Sequence, residues 1–277
     1  MLKLMYITNR TDVALVAEAV GVDRIFVDME YIGKDARQKG LDTVKSHHTV
    51  EDVKRLRKVL TSAELLVRVN PIHEAGDGYG SSEDEIEAVI AAGADIIMLP
   101  YFKTVGEVEK FLSVVGGRVR TMLLMETPEA AACAEDIVKL KGIDEIHIGI
   151  NDMSLGYGKK FMFELLADGT VDRLCSAIRA AGIPYGFGGI AALGKGLLPS
   201  EYVICEHYRL SSSFAILSRS FCNTNLISEI ERIEPIFREG VSAIRNYEAE
   251  CSLHSERYEE NRRIVIEKVE AIRAMNE

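Results

Sequence analysis

Leu2-Lys3-Leu4-Met5-Tyr6-Ile7-Thr8-Asn9-Arg10 opens the chain as an apolar, strand-like run that ends in a turn without a glycine. An open doubly wound sheet usually carries a Gly-rich phosphate-binding turn after its first strand, because the backbone there must approach its ligand closely. Ile7-Thr8-Asn9-Arg10 cannot serve that purpose, which favours a closed barrel. Working outward, β-branched apolar runs alternate with amphipathic stretches, the pattern of a parallel sheet wrapped in helices. Strands are expected over residues 2–8, 24–29, 64–70, 95–100, 119–126, 145–150, 184–187 and 202–210. Helices are expected over 50–60, with Val53, Leu56 and Leu60 on one face, and over 82–92, 104–115, 128–140 and 171–181. Eight strands in 277 residues make an α/β fold, a (β/α)8 TIM barrel, for which about 250 residues is usual.

Beyond Asn223 the pattern changes to two long charged helical segments. The first carries Leu226, Ile230, Ile233, Phe237, Val241 and Ile244 along one face, and the second, over 255–275, carries Ile264, Val265, Val269 and Ile272. The expected organisation is a catalytic barrel over 1–223 and a C-terminal helical extension over 224–277. Its apolar stripes require cover from the chain's own barrel, from a neighbouring subunit, or from the open end of the barrel as a lid.

Composition narrows the partners. With 47% hydrophobic and 27% charged residues the chain can bury a full core, and a formal net charge of -10 with no basic stripe argues against nucleic acid. The most apolar stretch, 88–100, is interrupted by Asp95 and too short to span a bilayer, so no membrane association is expected. The first residues read as a strand and not as a signal peptide, which makes the cytoplasm the expected location. Cys133, Cys175, Cys205, Cys222 and Cys251 show no metal-type or redox-type spacing and read as reduced packing residues.

In such a barrel the C-terminal strand ends face the active site. Here they are polar: Asp28-Met29-Glu30, Arg68-Val69-Asn70, Glu126-Thr127-Pro128, Gly149-Ile150-Asn151-Asp152 and, on the expected eighth strand, Glu206-His207-Tyr208-Arg209. Glu126 ends an apolar run, where a buried carboxylate without a partner costs several kcal/mol. It reads as a metal ligand or as a charge at a helix start. Asp152 reads as a second ligand or as a helix cap. Two carboxylates that leave the remaining coordination to water and substrate suit Mg²⁺.

Arg68, inside Leu65-Leu66-Val67-Arg68-Val69, has the donor fork for a substrate carboxylate, or pairs structurally with Glu30 or Glu126. Asp28 and Glu30 share a face, and one of them orients Arg68 or a water on the metal. His47 and His48 close the long polar segment 33–46, a length typical of lids, and either is a candidate acid or base. His207 competes for that role, whereas His147 reads as a packing or supporting residue. Gly186-Phe187-Gly188-Gly189 and Ser211-Ser212-Ser213 are read as following strands seven and eight, where barrels bind phosphate, or as tight turns. Gly188 and Gly189 are the substrate-binding candidates.

At these residues the sequence resembles the HpcH/HpaI aldolase and citrate lyase β-chain family, part of the phosphoenolpyruvate/pyruvate-type barrels. The resemblance runs from about Arg24 to Gly158. It is carried by Val27-Asp28-Met29-Glu30, Val67-Arg68-Val69-Asn70, Gly93-Ala94-Asp95-Ile96-Ile97-Met98-Leu99-Pro100, and Met125-Glu126-Thr127 with Ile148-Gly149-Ile150-Asn151-Asp152-Met153-Ser154. It implies Glu126 and Asp152 as ligands of Mg²⁺ or another divalent ion such as Mn²⁺. It implies Arg68 on the carboxylate of pyruvate or oxaloacetate, and Glu30 bonded to the metal's water or to the base. It also implies a homo-oligomer, since the family exchanges C-terminal helices between subunits.

Three departures stand out. Tyr31 occupies the place of the aldolase branch's histidine, which leaves the base to His47, His48 or a water on the metal. Asn151 replaces a common proline, and the acidic residue that follows the glutamate in the acyl-CoA lyase branch is absent. The expected function is a metal-dependent carbon–carbon lyase or aldolase acting on a small 2-keto acid through a pyruvate-type enolate. The alternatives are an acyl-CoA or phosphoenolpyruvate enzyme on the same barrel, and a catalytically inactive binding or scaffold subunit.

Overall fold

The computed structural model describes residues 1–33, 48–76 and 78–275. Its eight strands are β1 (Lys3–Ile7), β2 (Arg24–Asp28), β3 (Glu64–Arg68), β4 (Ile96–Leu99), β5 (Arg120–Met125), β6 (Glu145–Ile148), β7 (Tyr185–Ile190) and β8 (Phe214–Leu217). All pair in parallel and in sequence order, and β8 returns to β1 with Lys3 opposite Phe214 and Tyr6 opposite Leu217. The sheet is therefore a closed (β/α)8 barrel with no exposed edge.

Among the described residues the helices are α1 (Thr11–Ala19), α2 (Val50–Val59), α3 (Ser82–Ala91), α4 (Val105–Val115), α5 (Pro128–Ala132), α6 (Ala134–Ile137), α7 (Ile150–Gly156), α8 (Glu164–Ala167), α9 (Thr170–Ala180), α10 (Ser200–Arg209), α11 (Ile230–Leu253) and α12 (Tyr258–Met275). Local chemistry sets their starts. Capping boxes at Thr49 with Asp52, Ser81 with Asp84, and Thr104 with Glu107 begin α2, α3 and α4. The helix expected over 128–140 is two short pieces, because the backbone leaves helical geometry at Cys133.

Two packed regions hold the barrel. Met5, Phe26, Leu66, Ile96, Met98, Met122, Leu124 and Phe214 fill its interior, and a larger apolar shell lies between strands and helices. At the N-terminal end Arg24, fully buried, donates to both Glu145 oxygens at 2.6 Å and to Glu64 at 2.8 Å, closing the floor with charge-assisted bonds.

The expected eighth strand over 202–210 is instead α10, and the true β8 begins at Phe214. Tyr202-Val203-Ile204-Cys205 is rich in strand-favouring residues, yet Val203 and His207 are buried one helical turn apart, and a parallel crossover needs a helix between β7 and β8. The correction moves three expectations. His207 lies on a ring helix and not at the mouth, Ser211-Ser212-Ser213 precedes β8, and Gly186-Phe187-Gly188-Gly189 lies within β7.

α11 packs between α1 and α10, where the helix after β8 belongs, so the barrel's helical ring extends past residue 223. Its Glu248, fully buried, accepts the Leu2 N–H at 2.6 Å and ties this helix to the start of β1. Ile233, Phe237, Val241 and Ile244 are buried on it as expected, but Leu226 precedes the helix and is 80% exposed. α12 packs its Val265 and Val269 side over α10 and α8.

Candidate active site

The C-terminal ends of the strands open into one cavity of about 950 Å³. Asp28, Glu30, His48, Arg68, Glu126, Asp152, Gly188 and Gly189 all line it. His47 and the expected lid over 33–46, apart from Gly33, lie outside the described residues. His207 is not part of this wall.

Arg68 is the best-defined group. Its Nε and Nη2 each donate to one oxygen of Asp28 at 2.8 Å, and Nη1 lies 3.3 Å from Glu30 Oε2. Because β2 and β3 pair with Asp28 opposite Arg68, this bidentate contact is built into the strand register. Burial opposes the Arg68 charge, but Asp28, Glu30 and Glu126 outweigh it and hold the pKa well above its ordinary value. Of the expected partners, Asp28 makes the two short bonds and Glu30 a longer ion pair.

Glu126 is buried, and its Oε1 accepts the Tyr101 N–H at 3.0 Å. Tyr101 adopts φ +48°, a conformation that costs a residue with a side chain about 1–3 kcal/mol and that commonly marks functional sites. Nothing in the sequence signals this strain. Gly149 makes room beside Glu126: a Cβ there would lie 2.6 Å from the glutamate Cβ and 3.0 Å from its Oε2. Asp152 stands in the first turn of α7, which Gly149 precedes, so it is not the helix cap. Its Oδ1 accepts from the Asn151 side chain at 3.0 Å.

Among the described residues no three His, Cys, Asp or Glu side chains form a metal-binding cluster. Glu126, just past β5, and Asp152, in the first turn of the helix that follows the adjacent β6, are a hard oxygen donor pair, and the gap kept open at Gly149 lies between them in sequence and beside Glu126 in space. That donor set fits a hard divalent cation that keeps part of its coordination for water and substrate.

Asn70 shapes the mouth in a role the sequence does not signal, and His48 has a defined partner. Asn70 Oδ1 accepts the N–H groups of Tyr31 and Ile32 at 2.9 Å each, fixing the exit from β2. Its Nδ2 donates to Glu85 at 2.8 Å. His48 accepts the Asp28 N–H on Nδ1 at 3.0 Å, so its neutral ring carries the proton on Nε2.

Two histidines are buried away from solvent. His147, under the mouth, stacks on Phe214, and His207 stacks on Phe187 at 3.9 Å. Burial lowers both pKa values to about 3, helped by Arg24 and Arg68 at His147 and by His147 at His207. The unfolded chain binds a proton on each near pH 6.5, and the folded chain does so only near 3. Stability therefore falls with acidification through the interval from about 6.5 to 3, by up to about 1.4 kcal/mol per pH unit for each histidine. Urea unfolding at pH 7 and at pH 5 is expected to show this loss, and His207→Phe, which keeps the ring stack, to reduce it. An unchanged pH slope in that variant would remove His207 as a cause.

No helix among the described residues is long and apolar enough to cross a membrane. No curated protein matches the sequence. An HpcH/HpaI aldolase from Desulfitobacterium hafniense DCB-2 matches the fold at 14% identity and TM-score 0.58, over 84% of this chain and 93% of that one. The citrate lyase beta subunit from M. tuberculosis, complexed with oxaloacetate and magnesium, matches at 16% identity and TM-score 0.55, over 87% and 96%. CitE from Mycobacterium tuberculosis, in complex with magnesium, acetoacetate and coenzyme A, matches at 17% identity and TM-score 0.54, over 87% and 80%. At such identities these structures support the fold, while the family model for HpcH/HpaI aldolase/citrate lyase matches residues 4–187 directly. With a closed barrel, a carboxylate-held arginine and two further carboxylates at its mouth, the chain belongs to the HpcH/HpaI aldolase/citrate lyase family.

Proposed function

We propose that the protein is a divalent-metal-dependent lyase that makes or breaks a carbon–carbon bond next to the enolate of a small 2-keto acid such as pyruvate or oxaloacetate. The observation that carries this reading is the pairing, in one cavity, of Arg68 held by Asp28 and Glu30 with the carboxylates of Glu126 and Asp152. Glu126 and Asp152 would hold Mg²⁺ or Mn²⁺, which supplies Lewis acidity to a bound keto acid and so favours the enolate.

The chain's own groups do the rest. Arg68 receives the substrate carboxylate, its fork fixed in orientation beforehand by Asp28, so little rotamer freedom is lost on binding. Gly188 and Gly189 form the wall on the β7 side, with no side chain to obstruct the acceptor. His48, with Nδ1 engaged by Asp28 N–H, carries its proton on Nε2 and so acts as a neutral hydrogen-bond donor and not as the base.

His48→Phe is expected to lower kcat roughly 10²-fold, the usual cost of one such donor, while the pH–rate profile keeps its shape. Disappearance of the acid limb in that variant would make His48 the base. The whole reading is tested by calorimetric titration of oxaloacetate with and without Mg²⁺. Metal-dependent binding supports it, and metal-independent binding contradicts it.

The cavity volume favours one second reading. About 950 Å³ exceeds what pyruvate needs and leaves room for an acyl-CoA partner. Titration with acetyl-CoA separates the two, since the keto-acid reading alone requires no affinity for it.

A further inference from the structure

β7 departs from regular pairing at the mouth. Gly186 pairs with Phe214 and Gly189 with Ile216, so three steps on β7 oppose two on β8, a β-bulge that includes Gly188. Gly188 takes φ +52°, and a Cβ on it would lie 2.7 Å from Ile150 Cδ1. The bulge is thus the surface on which Ile150, the first residue of α7, rests, and Asp152 follows in the same helical turn. β6 ends at Ile148, leaving Gly188 beyond its ladder. The Gly188 carbonyl instead accepts a hydrogen bond from His147 Nε2 at 3.1 Å. The ring is held in place by its stack on Phe214, and its Nδ1 is buried with no partner among the described residues. Leaving a buried ring nitrogen unsatisfied is costly, so packing alone is a poor reason for histidine at this position.

We infer that His147 is a positioning residue for the metal site: its Nε2–H latches the β7 bulge at Gly188, and through Ile150 this sets where α7 presents Asp152. The inference rests on Asp152 being a metal ligand. Arg24, from the floor, and Arg68, from the mouth, are the charged groups that act on the ring and oppose its protonation, while the latch itself needs only the Nε2–H that faces the Gly188 carbonyl. The acting atom is a donor at Nε2, which separates glutamine from phenylalanine as replacements. Gln can present an N–H near the same place, whereas Phe keeps the stack and loses the donor.

The test is Mn²⁺ or Mg²⁺ affinity by calorimetry for the wild type, His147→Phe and His147→Gln, with circular dichroism and thermal unfolding alongside. His147→Phe is expected to weaken metal binding about tenfold or more, the usual effect of losing a partner that orients a ligand, with Gln restoring most of it. If the wild type binds no metal, the ligand assignment fails. If the wild type binds and the folded Phe variant binds equally well, or Gln is no better than Phe, the latch is wrong. Gly188→Ala, which presses on Ile150 from the β7 side, carries the same readout if the Phe variant does not fold. Wild-type metal affinity in Gly188→Ala would then overturn the inference.

Discussion

Glu126→Gln is expected to abolish metal-dependent turnover, by about 10³-fold or more, with the fold retained. The replacement has the same shape, and its carbonyl oxygen can still accept the Tyr101 N–H now bonded to Oε1. What disappears is one of the two charges that would hold a divalent ion, and the Lewis acidity lost with the ion amounts to several kcal/mol at the transition state. Metal affinity by calorimetry and turnover under saturating Mg²⁺ are expected to fall together, with thermal unfolding close to wild type. Full turnover in a folded Glu126→Gln protein would take this residue out of the metal site.

Arg68→Ala is expected to fail twice over. The carboxylates of Asp28 and Glu30, whose side chains are 3% and 2% exposed, would each lose the guanidinium they share. Breaking a buried pair in this way costs about 3–5 kcal/mol, a large share of a domain's stability. Keto-acid binding is expected to disappear as well. Arg68→Lys separates the two effects, because a lysine restores a positive charge but cannot donate to both Asp28 oxygens in plane. Its unfolding free energy is expected to recover part of the loss while keto-acid affinity stays well below wild type. Keto-acid affinity at the wild-type level in Arg68→Lys would contradict the two-point clamp.

The parts legible in the sequence were those in which one physical signal dominates. Seven strands stand out because fully buried parallel strands read as apolar runs, and a charge at the end of such a run marks the mouth, as at Asp28, Arg68 and Glu126. The eighth failed because Tyr202-Val203-Ile204-Cys205 has strand propensity inside a helix, and tertiary burial of one helical face overrode it. The missed features depend on backbone geometry or on distant partners: φ +48° at Tyr101, the bulge in β7, the acceptance of the Asp28 N–H by His48, and the capture of two N–H groups by Asn70. Periodicity carries no information about these. The carboxylate-held arginine lay between the two, since alternation places Asp28 and Glu30 on one face but only the β2–β3 register shows which of them grips Arg68.

The central claim is that this barrel forms the enolate of a keto acid with the help of a divalent cation at Glu126 and Asp152. Its most direct measurement is proton exchange at the methyl group of pyruvate in D2O, followed by proton NMR with the purified protein, and it requires no knowledge of the acceptor. The account predicts loss of the methyl signal with Mg²⁺ or Mn²⁺ that stops on chelation and does not occur with Glu126→Gln. Methyl protons retained in the presence of folded wild-type protein and either metal would contradict it and leave a binding subunit as the reading of this barrel.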